Sequence, residues 1–372
     1  MKHFEVQTMK DKSTKYFYIR NLDTMQIELL PSKYLKHKVN AKRSPNTVRR
    51  SAFSILYYLE YLVSLEIGIE DVYEMSYETQ FNHFVEFLTW VKKGNHTKIE
   101  YQRKPDNGTC NAYLQDVFRF YLFIETVFED YDGLKVLFYG RVTKANGVGV
   151  AKSIRFNSFK GYLQEKKVRK KPAKEDEIIT ILQACTNPRD QLLILLLSET
   201  GFRIGEILGV SYSHDIDYEH HLIGVYFRED NDNDARAKNA EYRKAKISDD
   251  TFEFLNYYLA EYRHLLQNQN YLFINIMGES IGQPLKVDSV YDMLKRMEQK
   301  TQIRITPHML RRYFANMRHE DGWRLEMISQ ALGHKHLETT IQYLSMMDDK
   351  LIEASNDFYE RHSSLYGVKK LL

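Results

Sequence analysis

Residues 306–343 decide the fold of this chain and read TPHMLRRYFANMRHEDGWRLEMISQALGHKHLETTIQY. Their start predicts a helix, because Thr306 can cap the first turn and Pro307 stands where no backbone N–H is needed. His308 and Arg311 lie three residues apart, so both side chains project from one face of that helix.

The second half of this stretch adds further polar groups. An apolar set at helical spacing, residues 325–332, ends at Gly333, a residue type that commonly stops a helix. His334 follows directly, and Tyr343 lies nine residues later on another short helical run. A guanidinium, two imidazoles and a phenol in this order are typical of a site that binds phosphate and supplies a nucleophile.

An upstream motif, residues 199–207, reads ETGFRIGEI and contains Arg203 and Glu206. It is similar to the Thr-Gly-x-Arg-x-x-Glu element of the tyrosine recombinases, the phage integrase family. The downstream stretch resembles that family's second motif through His308-x-x-Arg311, Leu332-Gly333-His334 and Thr339-Thr340-x-x-Tyr343. Two motifs in family order are far more specific than either alone. One position differs, because many members have His where this chain has Arg312.

The resemblance implies a catalytic role for each matching residue. Arg203 and Arg311 would bind the non-bridging oxygens of a DNA phosphate, since arginine binds phosphate through a planar fork and keeps its charge. His308 and His334 would add hydrogen bonds or proton transfer. Tyr343 would attack phosphorus and form a covalent phosphotyrosine. No cofactor and no metal are expected, because the two guanidinium groups supply the electrostatic stabilisation.

Lys238 is the predicted general acid for the 5′-oxygen leaving group. Residues 222–228 and 241–248 are predicted to be two strands, and the polar connection DNDNDARAKNA places Lys238 in a β-hairpin. Lys244 and Lys246 are nearby alternatives. The spacing favours Lys238, because Arg243 and Ile247 fall where hairpins of the family resume their outgoing strand.

The expected fold is mainly α with a small antiparallel β-sheet (α+β). Other predicted elements are a strand meander over residues 1–30, helices from Ser44-Pro45 and over 77–91, 110–128 and 287–297, and a strand over 271–276. The resemblance implies a helical core-binding (SAM-like) domain and a catalytic domain that form a C-shaped clamp on DNA. The predicted divisions are an N-terminal accessory segment 1–38, the core-binding domain 39–150, a basic linker 151–174, the catalytic domain 175–345 and a tail 346–372. The tail is expected to pack on its own domain or to dock in trans on a neighbouring protomer.

Basic residues crowd the start of the first strong helix and the linker. The predicted DNA-binding residues are Lys42, Arg43, Arg49, Arg50, Lys170 and Lys171. Such runs are also typical of solvated helix faces. The net charge is only +3 over 372 residues, so local patches matter more than the total.

Composition excludes several other classes of protein. Cys110 and Cys185 are far apart in sequence, which argues against a disulfide framework or a zinc site and fits a reducing cytoplasm. His334 and His336 form an HxH pair without a complementary ligand at metal-binding spacing. No apolar run suggests a signal peptide or a membrane span, so a cytoplasmic, nucleoid-associated protein is expected.

The predicted function is a site-specific DNA recombinase or transposase that acts through a 3′-phosphotyrosine and a Holliday junction. Its implied partners are double-stranded DNA, further copies of the chain in a tetramer, and accessory recombination proteins, with no membrane partner. The N-terminal segment, ETGFRIGEILGV and ARAKN are most similar to transposon-borne recombinases of the transposase A type. Alternatives are a phage-type integrase, a dimer resolvase, a type IB topoisomerase or telomere resolvase, and a non-catalytic DNA-binding relic.

Overall fold

The chain divides into two units in the computed structural model, Met1–Val168 and Arg169–Leu372. The structure describes residues 2–11, 14–97, 104–128, 133–137, 140–145, 151–156, 159–165, 171–225, 242–334 and 337–341. Its described part is mostly helical, with small antiparallel sheets, as the sequence predicts. None of its described helices is long and apolar enough to cross a bilayer.

The N-terminal unit consists of a β-hairpin, a set of helices and a second β-hairpin. Its elements are β1 (Phe4–Asp11), β2 (Thr14–Asn21), α1 (Leu29–Asn40), α2 (Pro45–Ser64), α3 (Asp71–Glu74), α4 (Tyr77–Lys93), α5 (Asn107–Val127), a 3-10 turn (Lys135–Leu137), β3 (Gly140–Ala145) and β4 (Ala151–Phe156). Strands β1 and β2 pair antiparallel with Phe4 opposite Asn21, and β3 pairs with β4 with Gly140 opposite Phe156.

Side-chain caps fix where the long helices of this unit begin. Ser44 accepts a hydrogen bond from the backbone N–H of Thr47, and Asp106 accepts one from Thr109. Such caps satisfy backbone donors that the first helical turn leaves without a partner. The helices predicted from Ser44-Pro45 and over residues 77–91 and 110–128 are therefore confirmed, with ends shifted by a few residues.

The first forty residues belong to the same core as these helices. Phe4, Phe17 and Ile19 of the hairpin are buried together with Tyr34 and Leu35 of α1. Only the first two strands of the predicted meander form, because α1 starts at Leu29 and leaves a single bridge between Arg20 and Ile27. The division expected at residue 38 falls inside α1. Part of the segment expected to be a linker also lies in this unit, since Phe159 is buried in its core.

The C-terminal unit contains nine described helices and one small sheet. Its elements are α6 (Glu175–Ala184), α7 (Pro188–Thr200), α8 (Ile204–Ile207), β5 (Ile216–Asp217), β6 (Leu222–Val225), β7 (Arg243–Lys246), α9 (Asp249–Glu261), α10 (Arg263–Leu266), α11 (Val287–Thr301), α12 (Pro307–Glu320), α13 (Leu325–Leu332) and α14 (Leu337–Ile341). The strand order is β5-β6-β7, antiparallel throughout.

Helix α7 lies at the centre of this unit's core. Five of its apolar side chains are at most 1% exposed, Leu192, Leu193, Ile194, Leu196 and Leu197. Burial of one such side chain stabilises a fold by roughly 1.5–3 kcal/mol, so α7 is a rigid base for the turn at Gly201. A smaller cluster around Phe314, Ile328 and Leu332 packs α12 against α13.

The strand predicted over residues 271–276 is wrong. This segment makes only isolated bridges, Ser211 with Tyr271 and Ile274 with Pro284. Its apolar side chains are buried, but its backbone bonds alternate between two different loops, so no continuous ladder forms. The predicted hairpin strands do pair, as the shorter β6 and β7, and their connection lies outside the described residues.

Candidate active site

The end of α7 places Arg203. Gly201 ends the helix with φ of +63°, and a Cβ built on it would lie 2.5 Å from Cδ1 of Phe314. Glycine is therefore required twice, for its backbone conformation and for the close approach of α12. The chain then turns so that Arg203 precedes the short helix α8.

Helix α12 places Arg311. Its first turn is built as the sequence predicts, with Thr306 accepting a hydrogen bond from Met309 N–H and Pro307 at the first helical position. The Arg311 side chain is 1% exposed. Its Nη1 donates to the carbonyl of Gly201 at 2.6 Å and its Nη2 to the carbonyl of Leu332 at 2.5 Å. Arg311 thereby joins the ends of α7 and α13.

Three guanidinium groups lie around the carboxylate of Glu206. Arg203 donates to it through the backbone N–H at 2.7 Å and through Nη1 at 2.9 Å. Arg243 of β7 makes an ion pair with one of its oxygens, and Nη1 of Arg311 lies 3.9 Å from that same oxygen. Glu206 is 3% exposed. Burial alone would raise the pKa of this carboxyl, but the charge of Arg243 and the bonds from Arg203 outweigh it and lower the pKa.

This cluster carries two positive charges more than negative ones. Three arginines face one ionised glutamate, and three guanidinium groups in a water-poor site favour an anion. This net positive charge attracts an anion such as a phosphate group, as a phosphate-binding site requires.

His334 lies against Arg311 immediately after the stop of α13 at Gly333. Its Nε2 is 3.0 Å from Nη2 of Arg311, and its Nδ1 is 2.9 Å from Oγ1 of the buried Thr340. Arginine only donates, so Nε2 must carry the lone pair and Nδ1 must carry the proton that it donates to Thr340. Burial lowers the pKa of His334 to about 3, helped by the charges of Arg311, Arg203 and Arg243. The imidazole is therefore neutral at ordinary pH.

Residues 172–349 match the phage integrase family, and this range contains both arginine motifs, Glu206 and His334. This part of the chain is a domain of that family.

Relatives extend the likeness beyond the matched range. Transposase A from transposon Tn554 of Staphylococcus aureus is 26% identical over 350 residues, which cover 88% of this chain and 90% of that protein. The tyrosine recombinase XerA of Saccharolobus solfataricus is 32% identical over 201 residues, 53% of this chain and 60% of the relative.

Solved structures share the fold of this chain. XerH recombinase in a post-cleavage complex with its palindromic difH substrate gives a TM-score of 0.56 at 17% identity, covering 86% of this chain and 80% of that one. A lambda integrase dimer bound to a core site gives 0.55 at 15% identity, covering 84% and 93%. The mainly helical fold with small antiparallel sheets is thus that of the family.

The structure brings three of the six predicted catalytic residues together, Arg203, Arg311 and His334. His308 is exposed in the first turn of α12, three residues before Arg311. Lys238 and Tyr343 lie outside the described residues, as does His336. Among the described residues, no group of three or more His, Cys, Asp or Glu side chains could hold a metal ion.

The predicted DNA-binding residues of the N-terminal unit are on its surface. Lys42 and Arg43 are exposed just before α2, with Lys42 in the left-handed region at φ +53°. Arg49 and Arg50 are exposed in its first turns, and Arg49 stacks over Phe53 at 5.8 Å. In the other unit, Lys171 is exposed and Lys170 lies outside the described residues.

Arg243 is the site residue that sequence reasoning missed. It is 9% exposed, pairs with Glu206 and lies over the ring of Phe202 at 5.1 Å. A chain with 53 Lys and Arg residues gives no reason to single it out by type. Strand alternation was the available signal, because Arg243 and Ala245 of β7 and Ile247 just after it are less exposed than the lysines between them.

Proposed function

We propose that this protein is a transposon-type site-specific recombinase that cleaves and rejoins DNA through a covalent bond between Tyr343 and a 3′-phosphate. The chain is a DNA-cleaving and DNA-rejoining enzyme of the tyrosine recombinase class. The observation that carries the proposal is the arginine cluster around Glu206, which unites residues from both sequence motifs with a surplus of positive charge. The transposon role is supported by the match to transposase A, which spans 88% of this chain.

In the proposed reaction, the hydroxyl oxygen of Tyr343 attacks phosphorus, its proton passes to His308 or to water, and the bond from phosphorus to the 5′-oxygen breaks. Lys238 gives a proton to that leaving oxygen. Arg203 and Arg311 bind the non-bridging oxygens, where negative charge accumulates. Rejoining is the reverse step, in which the 5′-hydroxyl of a partner strand displaces Tyr343. Bond energy is conserved in the phosphotyrosine, so the scheme uses neither ATP nor a metal.

His334 and His308 have different proposed roles. The neutral His334 accepts from Arg311 in the described structure, which supports a role in orienting the guanidinium fork. His308 is exposed on the same helix as Arg311 and would donate a hydrogen bond or transfer a proton at the phosphate.

The proposed assembly is a tetramer on two DNA duplexes that exchanges strands through a Holliday junction. Double-stranded DNA is the partner, and the structural relatives include recombinases bound to DNA. The tail 346–372 would couple neighbouring protomers. We place the protein in the cytoplasm, on the nucleoid, with accessory recombination proteins as further partners.

Covalent trapping tests this function. The full chain is incubated in EDTA with a nicked suicide duplex that carries an end of the protein's own transposon, and SDS-resistant band shifts are measured. We expect an adduct with the wild type, none with Tyr343→Phe, and wild-type amounts with the control Tyr257→Phe, whose side chain is 52% exposed on α9. DNA binding without any adduct would favour a non-catalytic binder and overturn the proposal.

A further inference from the structure

A buried carboxylate in the N-terminal unit holds three basic side chains. Asp116 of α5 is 0% exposed. Its Oδ2 accepts from Nε of Arg50 at 3.1 Å, and its Oδ1 accepts from Nη1 of Arg119 at 2.9 Å. Nζ of Lys38 lies 3.8 Å from Oδ1, and Ser54 donates to Oδ2 at 3.3 Å. Three helices, α1, α2 and α5, are thereby tied to one carboxylate.

Both arginines keep part of their donor set. Their side chains are 50% and 51% exposed, and each gives only one nitrogen to Asp116. Among the described residues no other group accepts from them. Arg50 therefore retains its two Nη groups, and Arg119 retains Nε and Nη2. Each of these is a pair of adjacent N–H donors, the fork that binds phosphate oxygens in a bidentate manner.

The charge at this carboxylate is not balanced. One cation would neutralise Asp116, yet Lys38, Arg50 and Arg119 all face it. Burial lowers the pKa of Lys38 to about 8, and although Asp116 opposes this, the charges of Arg119, Arg50 and Arg43 lower it further. A surplus of two positive charges repels itself unless an anion lies near, so an anion would stabilise the cluster.

Tyr34 of α1 is a further polar residue of this cluster, beside Lys38. The Tyr34 hydroxyl is buried and has no hydrogen-bond partner within the described part of the chain. The Nζ of Lys38 lies 4.8 Å from the centre of the Tyr34 ring and donates to Ser51 at 2.5 Å. Lys38 is thus held by Tyr34 and Ser51, and the two half-exposed arginines form the solvent-accessible part of the cluster.

We infer that Asp116 holds Arg50 and Arg119 as a clamp for one backbone phosphate of duplex DNA. The inference rests on the proposed action on DNA and adds Arg119, Lys38 and Asp116 to the residues expected from sequence. Fixing both forks before binding removes the entropy that free arginine side chains would lose. A contact to the backbone positions the protein without reading base sequence, so the clamp supplies affinity and not specificity.

The test is equilibrium binding of the full chain to the duplex end at several salt concentrations. Arg50→Gln and Arg119→Gln should each weaken binding by roughly tenfold at low salt. Each should also make the slope of log K against log salt less steep, and the double variant Arg50→Gln/Arg119→Gln should reduce its magnitude by about 0.9, the loss of one phosphate contact. The matched control is Arg20→Gln, because Arg20 also pairs with a carboxylate, Glu5, and is 34% exposed. Its affinity and slope should stay at wild-type values.

Charge-retaining variants keep the test decisive if a glutamine variant unfolds in thermal melts. Arg50→Lys and Arg119→Lys keep the slope but lose the fork, so both should bind more weakly than wild type. Wild-type affinity in the folded arginine variants overturns the clamp. The Tyr343-dependent adduct separates the two proposals. If the wild type forms the adduct and the arginine variants bind DNA as tightly as the wild type, only the clamp is wrong. If the wild type binds DNA but forms no adduct, the proposed function is wrong.

Discussion

Burial and the charges of three arginines all lower the pKa of His334. The folded-state pKa is lowered to about 3 from an ordinary value of 6.5. The folded protein therefore binds fewer protons than the unfolded chain between about pH 6.5 and pH 3, and stability decreases as the pH is lowered through that window. Above pH 6.5 the ring is neutral in both states and contributes no pH dependence.

We expect this linkage to disappear in His334→Gln. Urea unfolding at pH 7.5 and pH 5.5 should show a larger loss of stability on acidification for the wild type than for the variant. Carbon-13 spectra of the labelled imidazole should show no titration between pH 8 and pH 5. A ring that titrates near 6.5 would contradict the neutral tautomer derived from its bonds to Arg311 and Thr340.

Glu206 shows why a buried carboxylate is kept inside a site for an anion. Without it, Arg203, Arg243 and Arg311 would repel one another in a water-poor environment. With it, two positive charges remain and each guanidinium is held in one orientation. The net positive charge of the cluster and its structural order thus come from the same three arginines, which are held by both backbone and side-chain partners.

At the scale of the element, the stop of α13 controls how β7 packs. Gly333 has φ of +61°, and a Cβ built on it would collide with Nη1 of Arg243. Gly322, which precedes α13, has φ of +83° but nothing within 4 Å of its Cβ position among the described residues. Both glycines have a left-handed backbone conformation, but only at Gly333 would a Cβ meet a neighbouring side chain.

Gly333→Ala and Gly322→Ala should therefore differ in effect. Both carry the strain of a left-handed alanine, about 1–2 kcal/mol. Only Gly333→Ala also displaces Arg243 from Glu206, so only it should lower the yield of the covalent adduct at a given folded concentration. Thermal melts report the shared strain, and the trapping assay reports the difference. Equal adduct yields would show that the packing of Arg243 on Gly333 has no catalytic consequence.

Elements whose ends are set by local chemistry were predictable from sequence. Thr306 and Pro307 mark the start of α12, and Gly333 marks the end of α13. The strand predicted over residues 271–276 does not form. An apolar run indicates that a segment is buried, whereas a strand also needs a neighbouring strand to pair with along its length. The motif spacing predicted Arg203, Arg311 and His334, but the pairing of Arg243 with Glu206 joins residues 37 positions apart and depends on tertiary packing.

At the scale of the whole molecule, the proposed phosphate clamp and the proposed catalytic site belong to separate units. Each unit has its own hydrophobic core, and the basic cluster around Asp116 and the arginine cluster around Glu206 belong to different units. A core that draws on one unit only can form without the other. Residues 1–168 and 169–372 should therefore each unfold cooperatively when expressed alone.

The two fragments should also divide the activity. Residues 1–168 should bind the duplex end with a salt-dependent affinity and form no adduct, whereas 169–372 should form the Tyr343 adduct only at much higher protein concentration. The full chain gains because binding by one unit raises the effective concentration of the other at the phosphate. Circular dichroism melts, salt-dependent binding and adduct yield check these points. Adduct formation by 169–372 at full-chain concentrations would show that the N-terminal unit contributes no affinity, and failure of 1–168 to bind would locate DNA recognition in the catalytic unit alone.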